Sequence, residues 1–130
     1  MPIGAYQGIQ FPLAEAKLKL ECARLMNQKA ATLFDLGRTY GTEANMAKYL
    51  AGHAADLATD RAIQTLGGME YSKEHHVERL WRDARLFRVA PVSEEMILNY
   101  VAQRDIGLPR FYLQCRRRAC LAHSTAGGSQ

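Results

Sequence analysis

Apolar residues recur along this chain at intervals of three and four, the spacing of one face of a helix, and no segment alternates with the period of a β-strand. Residues 9–38 form the longest such segment and carry two apolar faces, which predicts a long helix contacted on two sides. Pro12 can be accommodated only near its first turn, and Gly37 and Gly41 are candidate ends. The two faces consist of Leu13, Ala16, Leu20 and Ala23, and of Leu18, Cys22, Leu25, Met26, Leu33 and Leu36.

A second long helix is predicted over residues 43–66, with Thr42 as its amino-terminal cap and Gly67 and Gly68 at its end. Many of its apolar positions are alanines, which permit a neighbouring helix to approach closely. His53 lies on this apolar stripe, where a histidine with satisfied hydrogen bonds is expected more often than a metal ligand.

Two shorter helices follow. The first covers residues 74–87 and is introduced by Ser72, and the second begins after Pro91 breaks the chain, with Ser93 as its cap. Four helices joined by short connections predict an all-α fold, an antiparallel four-helix bundle that occupies residues 1–110.

The positive charge of the chain is concentrated at its carboxyl end. The net charge is +4, and Arg110, Arg116, Arg117 and Arg118 account for all of it, since 13 basic and 13 acidic residues remain without them. Residues 111–130 are Arg-rich, then Ser- and Gly-rich, and are predicted to form a disordered basic tail. A solvated tail is favoured over one that contacts phosphate or a membrane, and no nucleic-acid partner is expected.

Cysteine content and hydropathy limit the class of protein. Three cysteines cannot all pair, and their spacing matches no zinc or redox motif, so a reducing compartment is expected. Cys22 is interpreted as a small buried apolar residue. No segment reaches the ~18 apolar residues of a membrane span, and the amino terminus lacks a signal-peptide pattern. A cytoplasmic protein without a membrane span is therefore predicted.

Three short motifs point to a family. Residues 64–71, QTLGGMEY, resemble the signature Q-x-x-G-G-x-G-Y/F, and residues 80–85, LWRDAR, resemble the landmark (L/Y)-x-R-D-A-(K/R). The opening PIGAYQ at residues 2–7 is similar to the end of the segment R-x-x-F-G-x-P-I-x-x-x-Q. Their order and spacing resemble the carboxy-terminal helical domain of flavin-dependent acyl-CoA dehydrogenases. Because the chain begins inside the first motif, we expect it to be a truncated piece of a longer parent.

The resemblance implies a cofactor, FAD, whose adenosine diphosphate half lies across a dimer interface against the Q-x-x-G-G turn. Gln64, Gly67 and Gly68 are assigned to this contact by resemblance. Paired glycines let the backbone approach a ligand and allow a positive φ, and a glutamine offers both a donor and an acceptor. The alternative is that the two glycines only end the helix.

Three more residues fall where the family touches flavin. Ile3 and Tyr6 match contacts made from the other subunit, and their alternative is apolar packing at a helix start. Ser93 matches a threonine that contacts the flavin, within the stretch Ala90–Ser93 that would line the site.

No catalytic base is assigned. The family's glutamate, which removes the α-proton of the acyl-CoA, would fall at Pro91, and proline cannot act as a base. Glu94 and Glu95 are close, but carboxylates in the first turn of a helix are expected to have lowered pKa values, which weakens them as bases. Arg82 and Asp83 are an architectural landmark with no catalytic role.

The resemblance therefore predicts the C-terminal domain of an FAD-dependent oxidoreductase that dehydrogenates acyl-CoA thioesters. The expected partners are the acyl-CoA substrate of the parent and further copies of the chain, as a dimer or a tetramer. The isolated chain is expected to be inactive, and no metal site is expected, since His75 and His76 cannot face one metal from the same side of a helix. The alternatives are a non-catalytic helical oligomerisation module and, less favoured, a nucleic-acid-binding protein that acts through its arginine tail.

Overall fold

The computed structural model describes residues 1–110, and these residues form four α-helices and no strand. The helices are α1 (Gln7–Asp35), α2 (Gly41–Leu66), α3 (Val77–Val89) and α4 (Glu94–Arg104). Single turns of 3-10 helix, Ile3–Ala5 and Gly68–Tyr71, precede α1 and follow α2. The all-α prediction is confirmed, whereas the tail predicted for residues 111–130 lies outside the described residues.

The second helix is the centre of the bundle, because it packs against α1, α3 and α4. It forms a long antiparallel hairpin with α1, joined by a short connection in which Gly37 has a φ of 63°. At the closed end, Lys29 Nζ lies 3.2 Å from Glu43 Oε1. Toward the open end, the pKa of Glu15 is lowered by Lys19 and further by Arg61 of α2. The beginning of α1 and the end of α2 therefore lie at the same end of the hairpin.

Alanines form the seam between α1 and α2. Ala16, Ala23 and Ala30 are the buried residues of α1, and Ala47 and Ala54 are buried on α2. Each is seven residues from the next on its helix, so each set lies on one face over successive pairs of turns. Small side chains let the two helix backbones approach closely, as the alanine-rich pattern predicts.

The second apolar face of α1 remains largely uncovered. Leu18 and Leu25 of this face are 68% and 61% exposed, and Phe11, seven residues before Leu18, is 64% exposed. The described residues thus bury the alanines of the first face and leave these three side chains uncovered; we call Phe11, Leu18 and Leu25 the α1 stripe.

Several predicted helix ends are wrong by a few residues. Thr42 is not the cap of α2, which begins at Gly41 with Tyr40 in the cap position and no side-chain capping hydrogen bond. Ser72 does not introduce α3, because residues 72–76 form turns and the first apolar helical position is Val77. Pro12 lies in the second turn of α1, since that helix begins two residues earlier than predicted.

The prediction that Cys22 is buried is wrong. Its side chain is exposed and opens on a cleft of about 750 Å³ between α1, α2 and α3, which Trp81 and Arg85 also line. The reason is that α3 packs mainly on α2, so the face of α1 that carries Cys22 has no helix over it within the described residues.

Candidate functional site

The end of α2 is an open glycine turn. Gly67 has a φ of 82° and a ψ of −165°, a region that essentially only glycine occupies, and its N–H donates to the Ile63 carbonyl (2.8 Å). Gly68 then begins a 3-10 turn in which the Glu70 N–H donates to the Gly67 carbonyl (3.1 Å). The predicted positive φ at this glycine pair is confirmed.

The two glycines differ in what the fold requires of them. The conformation of Gly67 accounts for its lack of a side chain, as expected for a residue that ends a helix. Gly68 has a negative φ, and a Cβ placed on it would meet nothing within 4 Å. Neither the backbone nor the packing of the described residues calls for glycine at this second position. The exposed backbone of Gly68 is therefore accessible to a ligand, beside the exposed side chain of Gln64 on the last turn of α2.

Ile3 and Tyr6 lie at the same end of the hairpin. They are 54% and 57% exposed, in the 3-10 turn that leads into α1. Gln10 Nε2 donates to the Gly4 carbonyl (2.8 Å), and this bond fixes the turn on the first part of the helix. Within the described residues, more than half of each side chain is left uncovered. These residues present an apolar surface near the glycine turn.

Ser93 lies elsewhere, in the connector between α3 and α4. It occupies the cap position of α4, but its side chain makes no capping hydrogen bond, so the predicted capping by its hydroxyl is wrong. Its carbonyl accepts from the Ile97 N–H (3.2 Å), and the residue is half-buried. The hydroxyl is thus free of the helix it precedes.

The predicted site residues fall into two groups. Ser93 is located by its neighbour Glu94, whose Oε2 lies 2.8 Å from Nε2 of His53 in the middle of α2. Fourteen residues of helix separate His53 from Gly67, which is about 21 Å at 1.5 Å per residue. One group, at the open end of the hairpin, holds Gln64, Gly67, Gly68, Ile3 and Tyr6; the other is Ser93 with its connector.

A cluster of charges surrounds the connector. Arg88 of α3 reaches Asp56 of α2 (Nη1 to Oδ2, 2.6 Å) and Glu94 of α4 (Nη2 to Oε2, 3.2 Å), and its Nε also donates to Glu94. The hydrogen bonds to Glu94 and Asp56 raise the pKa of Arg88 above its ordinary value. Sequence reasoning missed Arg88 and Asp56, although an aspartate within an alanine-rich helix face was a signal of a polar partner.

Glu94 has a lowered pKa, as predicted, but for a different main reason. The hydrogen bond from Arg88 is the largest cause and outweighs the opposing effect of burial, and His53 adds to the lowering. A carboxylate held in its charged form by an arginine is a weak proton acceptor. Pro91, at the expected position of the base, is exposed and has no ionisable group, so neither residue is suited to remove a proton from a substrate.

Other candidate chemistry is sparse within residues 1–110. His75 Nδ1 lies 3.4 Å from a Glu70 carboxylate oxygen, and Arg82 is paired with Glu78 one turn earlier on the exposed side of α3 (2.8 Å). In this part of the chain, no three histidine, cysteine or acidic side chains are grouped so that they could hold a metal ion. None of the described helices is both long and apolar enough to cross a membrane.

Comparison with known proteins supplies the family context. A family described as "Acyl-CoA dehydrogenase, C-terminal domain" matches residues 1–106. Acyl-CoA dehydrogenase FadE12 of Mycobacterium tuberculosis is 51% identical over 113 residues, which cover 85% of this chain and 29% of that protein. The mitochondrial short/branched chain specific acyl-CoA dehydrogenase of Rattus norvegicus is 38% identical over 98 residues, 75% of this chain and 23% of the relative.

Solved structures agree with these matches. Butyryl-CoA dehydrogenase from Megasphaera elsdenii superposes with a TM-score of 0.73 at 35% identity, over 75% of this chain and 26% of that one. The chain thus spans about a quarter of the length of the relatives it matches.

Proposed function

The chain belongs to the acyl-CoA dehydrogenase family, in which it matches the C-terminal helical domain, and from this premise we propose that it contributes FAD binding and subunit association to an acyl-CoA dehydrogenase. The observation that carries the proposal is the open Gly67–Gly68 turn beside an exposed Gln64. When bound there, FAD would supply the hydride acceptor for oxidation of an acyl-CoA thioester to its α,β-unsaturated form, and a base would take the α-proton.

The glycine turn suits the adenosine diphosphate half of FAD. Gly68 offers backbone without a side chain at a position where the fold itself does not need glycine. The amide of Gln64 can donate to phosphate or ribose oxygens and accept from ribose hydroxyls. A ligand that approaches this turn would therefore meet both backbone and amide groups.

The separation of the two groups of predicted site residues is compatible with an extended ligand that is shared between two copies of the chain. The open end of the hairpin and the Ser93 connector are about 21 Å apart along α2, too far for one small group. We assign the glycine turn to the adenosine diphosphate of one FAD, Ser93 to the flavin ring of another, and Ile3 and Tyr6 to flavin contacts across the subunit boundary. The exposed α1 stripe supports association of copies as a dimer or tetramer.

Proton removal is assigned to a group outside this domain. Pro91 has no ionisable group and Glu94 is held as a carboxylate by Arg88. We expect the domain alone not to oxidise acyl-CoA. Introducing a carboxylate with Pro91→Glu is expected to leave it inactive, because the remaining parts of a flavin site would still be needed.

One glycine substitution tests the cofactor assignment in the parent protein. Gly68→Val is expected to lower bound FAD per folded protein while the melting temperature changes little, because its φ is negative and nothing within 4 Å opposes a side chain. Gly37→Val is the matched control: it lies at the closed end of the hairpin with a φ of 63°, so it is expected to lower the melting temperature and retain FAD.

The opposite pattern would overturn the assignment. If Gly68→Val lowers the melting temperature as Gly37→Val does and leaves flavin occupancy unchanged, the glycine pair only ends a helix. The alternative function, a non-catalytic oligomerisation module, shares the exposed α1 stripe but predicts that the unsubstituted protein takes up no FAD.

A further inference from the structure

The connector between α3 and α4 is bracketed by an ion pair. Arg88 is in the last turn of α3, and Glu94 is the first residue of α4, with residues 89–93 between them. Two guanidinium nitrogens of Arg88 meet the two carboxylate oxygens of Glu94, Nη2 to Oε2 at 3.2 Å and Nε to Oε1. This side-by-side geometry fixes the relative orientation of both groups. We call the Arg88–Glu94 pair the clasp.

Both residues of the clasp also form hydrogen bonds to the central helix α2. Arg88 Nη1 lies 2.6 Å from Asp56 Oδ2, and Glu94 Oε2 lies 2.8 Å from His53 Nε2. The guanidinium therefore contacts carboxylates of two different helices, and the carboxylate of Glu94 contacts two partners as well. The connector cannot shift along α2 without breaking several of these bonds.

The end of α3 packs closely on α2 beside the clasp. Lys48 donates to the Phe87 carbonyl, and Gly52 is buried where a Cβ would be 3.5 Å from Arg88 Cγ. Lys48, Gly52 and Asp56 are spaced by four, so they form one row on α2 that faces the end of α3. This row places the guanidinium of Arg88 at the connector.

The clasp differs from the Arg82–Glu78 ion pair within α3. Arg82 pairs with Glu78 within the same helix, and the two side chains are 63% and 15% exposed. Arg88 and Glu94 are 23% and 19% exposed and join two helices across a connector. Both charges of the clasp are shielded, whereas Arg82 is solvated, so solvent screens the clasp less; the clasp also joins two helices and therefore has the larger structural effect.

The residues of the connector make few stabilising contacts themselves. Pro91 and Val92 are exposed, and the hydroxyl of Ser93 makes no bond to the helix it precedes. We propose that Arg88 and Glu94 are positioning residues: they hold the connector against α2 so that Ser93 is presented to the flavin. This inference rests on the proposed function. It adds that Arg88 and Glu94, which do not touch the flavin, influence its binding through the position of Ser93.

The test uses Arg88→Gln in the flavin-loaded parent protein, with Arg82→Gln as the matched control on the same helix. We expect Arg88→Gln to shift the absorbance and fluorescence of the bound flavin. It should also speed exchange of the connector amide of Ala90, which donates to the Leu86 carbonyl (2.8 Å), about tenfold, the effect of losing one charged hydrogen bond. Arg82→Gln is expected to change neither. Arg88→Lys should restore part of the flavin signal, because a single ammonium can reach one of the two carboxylates.

Glu94→Gln provides a second route to the same conclusion if Arg88→Gln does not fold. The double variant Arg88→Gln/Glu94→Gln is expected to change the flavin signal by less than the sum of the two single variants, since the two residues share one pair. Faster exchange in the connector with an unchanged flavin spectrum would overturn the positioning role. If the unsubstituted protein takes up no flavin, the proposed function fails instead, and unchanged connector exchange in Arg88→Gln would separately refute the clasp.

Discussion

Arg88 Nη1 lies 2.6 Å from Asp56 Oδ2, and this contact joins the last turn of α3 to the middle of α2 across 32 positions of sequence. Together with the contact between His53 and Glu94, it holds the ends of α3 and α4 on the central helix. Both side chains are mostly shielded from solvent, 23% and 24% exposed. The contact therefore contributes more to stability than an ion pair on the surface does.

The first prediction concerns this contact. Asp56→Asn retains the size of the side chain and removes the charge, which leaves Arg88 with one carboxylate partner. We expect it to lower the free energy of unfolding by about 1–2 kcal/mol, measured by urea denaturation. Asp60→Asn, one turn later on α2 and exposed, is the control and should stay within about 0.5 kcal/mol of the original protein. Equal effects of the two substitutions would contradict the role assigned to Asp56.

A second prediction is a pH dependence that Glu94 imposes. Its folded-state pKa is lowered from an ordinary value of 4.5, chiefly by Arg88, so the folded state binds this proton less readily than the unfolded state. The stability it contributes is therefore fully present above about pH 4.5 and is lost as the pH falls toward the lower folded-state pKa. Glu94→Gln should thus destabilise the protein at pH 7, and the difference from the original protein should shrink below about pH 4.5. A difference that stays constant from pH 7 to pH 3 would refute the linkage, and Glu95→Gln serves as the neighbouring exposed control.

The third prediction tests the close approach of α2 and α3 at Gly52. A Cβ there would lie 3.5 Å from Arg88 Cγ and 3.6 Å from the Phe87 carbonyl oxygen, which are ordinary contact distances. Gly52→Ala is therefore expected to be neutral or to stabilise by up to about 1 kcal/mol through helix propensity. Gly52→Leu should cost about 1–3 kcal/mol by overpacking. Ala51→Leu, on the adjacent exposed position, should be neutral, and a similar loss for both leucines in denaturant midpoints would show that α3 does not constrain this site.

The fourth prediction concerns association through the α1 stripe. Phe11, Leu18 and Leu25 are each more than 60% exposed and lie on one face, so we expect at least a dimer by light scattering at micromolar concentration. Leu18→Gln combined with Leu25→Gln should shift the protein toward the monomer. Leu86→Gln, which changes a leucine of α3 that is 58% exposed, tests whether any loss of apolar surface has the same effect. A monomer without concentration dependence in the unsubstituted protein would exclude the stripe as an interface.

The helices could be predicted from the sequence because they depend on interactions between residues close together in the chain. The three-and-four spacing of apolar residues established four helices, because helix hydrogen bonds and side-chain faces are set within a few residues. The end of α2 at Gly67 was also predictable, since a left-handed turn favours glycine. Helix starts were less determined: Tyr40 rather than Thr42 precedes α2, because the amino-terminal turn can be satisfied in more than one register.

Only the tertiary structure decided which faces are covered and which charges meet. Cys22 lies on an apolar face that predicted burial, yet it is exposed because α3 packs on α2 and not over α1. Asp56, Arg88 and Glu94 lie on three helices, and no local rule relates their positions in the sequence. Their contact depends on the crossing of α3 over the row that includes Gly52, where a Cβ would already touch Arg88 and Phe87 and a larger side chain would not fit. Periodicity describes one helix at a time, whereas a site between helices depends on how closely and at what register they pack.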